Sequence, residues 1–398
     1  MRSTPIGDLV GMTDTWNPRS HPGSTFDYID IAAVDHHTKT IVSTSTTATS
    51  GAPSRARQLV ATGDVLVSTV RPNLNAVASV PPELDGATAS TGFCVLRPKA
   101  IDNRYLFHWV RSPQFVSAMT RLATGQSYPA VSDKIIKSSL VPTPTLSEQQ
   151  RIAQALDQVD LLREKRRKSI ALLDDLAQSI FLDMFEAPDV VGEPIALGAI
   201  AEISSGITKG RKVPPTATTR TVPYLAVVNV QDKQLRLDTL KEIEATEPEI
   251  DRYRLAKDDL LLTEGGDPDK LGRGTLWRNE LEECIHQNHI FRVRLKDELT
   301  FRPIYLNWAI SSERGRRYFL RSAKQTTGIA SINATQLRNF PVPSAPIATQ
   351  QLFEDRIEAI ARCKRHHETS LSRLDTLFFS IQSRAFRGEL WQDDLKDL

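Results

Sequence analysis

The side chains best suited to metal chemistry in this sequence are Cys284, His286 and His289. On a strand, positions 284 and 286 share one face while 289 points to the other, and no fourth ligand stands nearby, so the spacing argues against zinc. Asp258, Asp259 and Glu264 could in principle hold a metal for nuclease chemistry, but charged turns account for them equally well. The Gly-rich run from Glu264 to Gly274 (EGGDPDKLGRG) lacks the GxxxxGK[ST] order and has no strand–GxGxxG–helix context. It reads instead as a tight turn, either one that holds Lys270 and Arg273 toward phosphate or a purely structural one. Amine methylation would call for an [N/D]-P-P-[Y/F] tetrapeptide and a Gly-rich cofactor loop, and the Pro pairs Pro81-Pro82 and Pro214-Pro215 have the wrong flanks.

What remains is the chemistry of polar recognition. Arg, Asn and Gln are the side chains able to make bidentate contacts to guanine or adenine. Arg71, Asn73 and Asn75 follow a predicted strand in the first half, and Gln126, Ser127 and Tyr128 sit in a loop before a long helix. Gln325, Thr326 and Thr327 are the nearest second-half equivalents of that loop. Lys209, Arg211 and Lys212, set among Gly206 and Gly210 after a predicted strand at 200–204, form a basic loop. Such a loop lets backbone approach phosphates while long side chains reach base edges.

These loops need a scaffold, and the sequence supplies one twice. The stretch from Ser147 to Phe185 has no Pro or Gly and carries a sustained heptad through Ile152, Leu156, Val159, Arg163, Arg166, Ile170, Leu173, Ala177, Ile180 and Met184. Ser147 with Gln150 three residues on has capping-box spacing, which places the helix start there. At a constant offset of 201 residues, Phe353, Ile357, Ile360, Lys364, His367, Leu371, Leu374, Phe378, Ile381 and Ala385 form the same seam. Even the polar interruption recurs, Arg163 and Arg166 becoming Lys364 and His367, which reads as a polar layer fixing register and antiparallel pairing. A repeat this long is a duplicated module rather than a solenoid unit, whose periods run roughly 20–50 residues.

The segments between the helices repeat too. Tyr28-Ile29 corresponds to Tyr224-Leu225, Gly63-Asp64-Val65-Leu66 to Asp258-Asp259-Leu260-Leu261, Tyr105-Leu106 to Tyr305-Leu306, and Val141-Pro142 to Val342-Pro343. Short β-branched runs broken by Gly, Pro and Asn indicate mixed α+β domains, with Pro113 splitting 104–122 into two short helices. The expected domains are 1–146, 147–187 (helix), 188–346 and 347–398 (helix). Between the strands the two halves differ freely, as befits two modules reading two different things.

Composition is that of a soluble globular chain, with 398 residues, 40% hydrophobic and 25% charged. The net charge of +2 divides as +3, −2, +2 and −1 over those four segments, so the positive excess lies in the two larger ones. No run approaches 18 apolar residues and no signal-peptide pattern opens the chain, which gives a cytoplasmic expectation with no membrane partner. Three distant cysteines, Cys94, Cys284 and Cys363, support no disulfide framework. The run Arg163 to Lys168 (REKRRK) is the densest basic cluster, either a solvated helix face or a contact to a partner subunit or DNA backbone.

With these residues in view, the chain resembles the specificity subunit of type I restriction–modification systems. The resemblance rests on SEQQRIAQALDQVDLLREKRR and LLDDLAQSIFLDMF in the centre, on Ile381 to Leu390 (IQSRAFRGEL), and on VPYLAVVNVQ, LLLTEGGDPDKLGRGTLW and IHQNHIFRVR in the second half. It implies an α+β chain of two globular target-recognition domains separated by two long antiparallel coiled-coil helices, a pseudo-twofold internal repeat. The implied role is a non-catalytic reader of a split, asymmetric site on double-stranded DNA. Two methyltransferase subunits would dock along the helices and supply S-adenosylmethionine, which this chain would not bind itself; restriction subunits are further partners the resemblance allows. A helix of about 39 residues spans about 58 Å, enough to set half-sites one turn, about 34–36 Å, apart. The competing readings are a chain that methylates or cuts DNA by itself, and a coiled-coil adaptor with no DNA role.

Overall fold

The computed structural model describes residues 2–186, 192–266, 271–326 and 329–390. Two helices dominate it, Leu146–Phe185 and Ile347–Arg387. The first starts two residues before the expected box. Thr145 is the N-cap, its N–H and Oγ1 donating to Glu148 Oε2 at 2.9 and 2.8 Å while Glu148 N–H donates back to Thr145 Oγ1 at 3.3 Å. Thr145/Glu148 and Ser147/Gln150 fit the same local rule, and the difference is decided by Gln149. Its carboxamide accepts from Asp102 N–H at 2.9 Å and donates to Pro144 O at 3.0 Å, which locks the first turn in place. Gln350 does the same in the second helix, accepting from Arg302 N–H at 2.8 Å and donating to Ala345 O at 2.8 Å.

The chain divides into two compact units, residues 1–170 with 366–398, and residues 171–365. Each contains one globular domain and one half of each long helix. In the first unit a four-stranded antiparallel sheet runs in the order Val10–Gly11, Phe93–Pro98, Val65–Ser68, Val77–Ser79. A second sheet orders Ser45–Ala48, Thr25–Ile29, Thr88–Ser90 and Ala56–Leu59, with the middle pair parallel. The second unit repeats the first sheet as Ala201–Ser205, Ile290–Leu295, Leu260–Thr263, Gly274–Leu276, and three strands of the second as Lys241–Ala245, Arg220–Leu225 and Ile285–His286, the last two again parallel.

The recurring residues prove to be the joints of this module. Asp64 and Asp259, each 1% exposed, open the central strand of their sheet and are held by Arg97 (2.9 Å) and Arg294 (2.7 Å). Tyr105 and Tyr305 lie fully buried on the helices Asn103–Val110 and Pro303–Ser311 and donate to Pro142 O at 3.0 Å and Pro343 O at 2.8 Å, tying each helix to the strand before the long helix that follows. Buried hydroxyls with a backbone acceptor satisfy the rule that interior polar groups must be paired.

Within each unit the long helices pack antiparallel through the heptad seam. In the first, Ile152, Leu156 and Val159 are buried with Phe378 and Ala385. Arg163, 8% exposed, donates to Asp375 at 2.6 Å and Asp160 at 2.5 Å, and Arg166 Nη1 lies 3.2 Å from His367 Nδ1. In the second, Lys364 reaches Asp174 at 2.6 Å. Arg163 with Asp375 and Lys364 with Asp174 are one contact made twice, since both residues shift by 201. The aromatic Phe181 and Phe185, outside the expected seam, join Tyr305, Trp308 and Phe353 in a cluster with ring centroids 4.7–6.5 Å apart.

Candidate nucleic-acid interface

In the first unit the strand Val65–Ser68 runs into a turn at Pro72–Leu74 flanked by two left-handed residues, Arg71 (φ 49°) and Asn75 (φ 48°). The loop before the long helix lies beside it: Val131 N–H donates to Thr69 O at 2.9 Å and Arg71 N–H to Pro129 O at 2.7 Å. The Arg71 guanidinium sits 4.9 Å from the Tyr128 ring, a cation–π contact that holds both side chains outward. Gly125 is required here, because at φ +103° a Cβ would come within 2.8 Å of Tyr128 O. Arg71, Asn73, Gln126, Ser127 and Tyr128 are all exposed, Tyr128 at 69%.

Asn75 is different. Its Nδ2 donates to Val110 O at 3.2 Å, and Lys39 Nζ donates to its carbonyl and to Oδ1 at 2.5 and 3.3 Å. Burial and nearby Arg111 push Lys39 down to about 8. Asn75 thus braces the turn rather than presenting an amide to a base edge.

The second unit builds the same junction with a hairpin. Gly265–Gly266, following the strand Leu260–Thr263, pairs with Ile329–Ser331, which pairs in turn with Lys324–Thr326. Ile332 N–H donates to Glu264 O at 2.9 Å, the counterpart of the Val131–Thr69 bond. Gln325 and Thr326 therefore lie on the strand facing this junction, with side chains outside the described residues; Lys270 and Thr327 lie outside them altogether. Arg273 is half-buried at the far end of the Gly-rich turn, its carbonyl accepting from Thr263 N–H at 3.3 Å.

The basic loop joins the hairpin through Gln287–His289. Ile207 N–H donates to His286 O at 2.8 Å, an approach open only because Gly206 has no Cβ, which would fall 1.8 Å from that oxygen. Glu264 N–H donates to His289 O at 2.9 Å, and the two side chains meet at 2.5 Å. Lys209 and Lys212 are exposed. Arg211 is not available: it pairs with Glu249 at 2.5 and 2.6 Å and with Glu244 O at 3.0 Å, pulling that carboxyl down to about 2. It anchors the loop to the helix Glu247–Tyr253, a role invisible locally because its partner lies 38 residues away.

The candidates for metal chemistry are accounted for by packing. Asp258 pairs with Arg278, Asp259 with Arg294, and Glu264 with His289. His286 is fully buried, bonds Ile290 O at 3.1 Å, and is pushed down to about 4 by burial and by Arg292. Cys284 is buried, with its thiol pushed up to about 12. Among the described residues no group of three His, Cys, Asp or Glu side chains is placed to hold a metal ion. Local reading also passed over the helix Glu313–Ser322, whose Arg314, Arg317 and Arg321 share the spacing of one helix face.

A module built twice from the same joints, with different polar loops at the same junction, defines a two-headed recognition protein. Comparison with known proteins places it further. Residues 39–172 match the family model described as type I restriction modification DNA specificity domain. The specificity subunit of the type I restriction enzyme EcoKI from Escherichia coli K12 is 25% identical over 334 residues, covering 77% of this chain and 70% of that protein. A structure solved in work on complex assembly and conformational transition of a type I R-M system aligns over 98% of both chains at 25% identity, TM-score 0.57. The Type-I restriction-modification system S subunit of M. genitalium shares the fold over 97% and 96% of the two chains at 12% identity, TM-score 0.59. The chain is thus similar in sequence, and over nearly its whole length in fold, to the specificity subunits of type I restriction–modification systems.

Proposed function

We propose that this chain is the non-catalytic DNA-reading subunit of a type I restriction–modification complex, each globular domain reading one half of a bipartite, asymmetric site. The observation that carries this reading is the duplication itself. Sheet order, Asp–Arg joint and Tyr–Pro joint recur, while the loops at the shared junction diverge from Arg71, Asn73 and Tyr128 to a glycine hairpin beside Lys209 and Lys212. Exposed Arg, Lys, Asn, Gln and Tyr are suited to base edges and phosphates together.

The long helices supply the surface for methyltransferase subunits. Leu161, Leu172, Leu176 and Leu377 lie outside the seam with 46–58% exposure. Leu176 and Leu377 are counterparts at the 201-residue offset, one in each unit, which supports two equivalent docking sites and so two methyltransferase subunits. In this reading S-adenosylmethionine is held by those partners and restriction subunits join the same assembly. Among the described residues no helix is long and apolar enough to cross a membrane.

The test is genome-wide mapping of methylated adenine in cells expressing this chain with the methyltransferase subunit encoded beside it, against that subunit alone. A split motif present only with both chains is the expected result. Methylation by this chain alone would restore the enzyme reading, and none in either case would favour an adaptor.

A further inference from the structure

The helix Glu313–Ser322 of the second domain buries Gly315 and Phe319 and turns Arg314, Arg317 and Arg321 outward. These follow i, i+3, i+7 spacing, so they form one row on one face. The row lines an open groove of about 550 Å³ together with Tyr318 and Ser322. Two carboxylates border it, Glu186 and Glu313, and Glu313 is engaged by Arg317 at 3.0 Å and Arg316 at 3.6 Å. Exposed ion pairs of this kind are worth little and exchange readily for a stronger anion. The corresponding helix of the first domain, Pro113–Leu122, has Gln114, Ser117 and Arg121 at these positions, so the row belongs to the second domain alone.

Its placement points to a ligand. The helix ends at Ser322 and the chain enters the strand Lys324–Thr326 of the candidate reading hairpin two residues later. Tyr318 Oη donates to Gln336 O at 2.9 Å, and Gln336 Nε2 donates to Ser322 O, fixing the row against the segment that follows the hairpin. Three guanidiniums on a rigid helix face beside a base-reading loop suit a run of phosphates, because Arg presents a planar donor fork to phosphate oxygens.

We infer that Arg314, Arg317 and Arg321 form a phosphate clamp on the duplex flanking the second half-site, positioning the DNA without reading its sequence. The inference rests on the DNA-reading function above. It makes the two heads unequal: the second carries a larger share of sequence-independent, salt-sensitive binding.

The test uses the full chain with its methyltransferase subunit and a fluorescein-labelled duplex of scrambled sequence, with anisotropy read across a salt series. Replacing all three residues (R314Q, R317Q, R321Q) should lower the slope of log K against log salt by about 2–3, at about 0.9 per phosphate contact. The methylated motif should be unchanged, and the R314K, R317K, R321K variant should recover most of the slope, which separates a charge effect from misfolding. An unchanged slope would overturn the clamp. So would an unchanged slope with loss of the methyltransferase subunit, which would reassign the row to an acidic protein surface. If the unsubstituted complex shows no salt-dependent binding, the DNA-reading function itself fails, and the clamp with it.

Discussion

Arg71 and Arg211 carry the same charge and both stood out in sequence as loop arginines, yet they do different work. Arg71 is exposed and stacked on Tyr128, whereas Arg211 is committed to Glu249. Arg71→Ala should therefore relax discrimination in one half-site by about 1–3 kcal/mol and leave the melting temperature nearly unchanged. Arg211→Ala should instead loosen the 206–212 loop, lowering thermal stability while motif and discrimination persist; competition binding with single-base variants, run beside melting curves, separates the two. His286 gives a pH dependence. Its folded pKa is lowered from 6.5 to about 4 and it faces Tyr253, Arg292 and Arg294, so below pH 6.5 the unfolded chain binds the proton more readily than the folded one. Stability should fall by about 1 kcal/mol per pH unit between about 6.5 and 4. His286→Leu should flatten that segment of a melting-versus-pH curve; an unaltered curve would assign the loss to other groups. Local sequence could not reveal such commitments, because Asn75 with Lys39 and Arg211 with Glu249 are partners 36 and 38 residues apart.

The long helices were the most legible elements, since a heptad is a local property and burial follows it at Ile152, Leu156, Val159, Phe353 and Phe378, whereas Phe181 and Phe185, off the seam, are buried by a domain the heptad does not reveal. The cap was less so, because two overlapping boxes fit and a tertiary bond from Gln149 to Asp102 selects one. The duplicated polar pair offers an internal comparison. Asp375 serves Arg163, which is 8% exposed, while Asp174 serves Lys364 near the surface. Asp375→Ala should cost about 1–3 kcal/mol by leaving a buried guanidinium with Asp160 alone of its two carboxylate partners, and Asp174→Ala about 0–1 kcal/mol. Equal losses in chemical denaturation would contradict the reading of one buried and one exposed copy. On the outer face, Leu176→Arg and Leu377→Arg should each remove one methyltransferase subunit from the purified complex, as read by native mass spectrometry, and the pair of substitutions should remove both. Inserting four residues within 165–170, about one helical turn, should change the recognised spacing or abolish activity while each half-site preference persists.

At the scale of the whole chain, the repeat was readable because the joints that hold a module together are the residues a duplication keeps. Asp64 and Asp259, Tyr105 and Tyr305, and Gln149 and Gln350 each make the same bonds in both halves. The loops were unreadable for the complementary reason: what they bind, and not the fold, sets their sequence, so they carry no period and no shared motif. Two heads that share a scaffold and differ chiefly in their loops should exchange independently. The most direct test is to replace residues 188–346 with the recognition domain of a type I specificity subunit and map methylated adenine in cells that also express the methyltransferase subunit. One half of the motif should change and the other half and the spacing should stay. A change in both halves would contradict two independent readers.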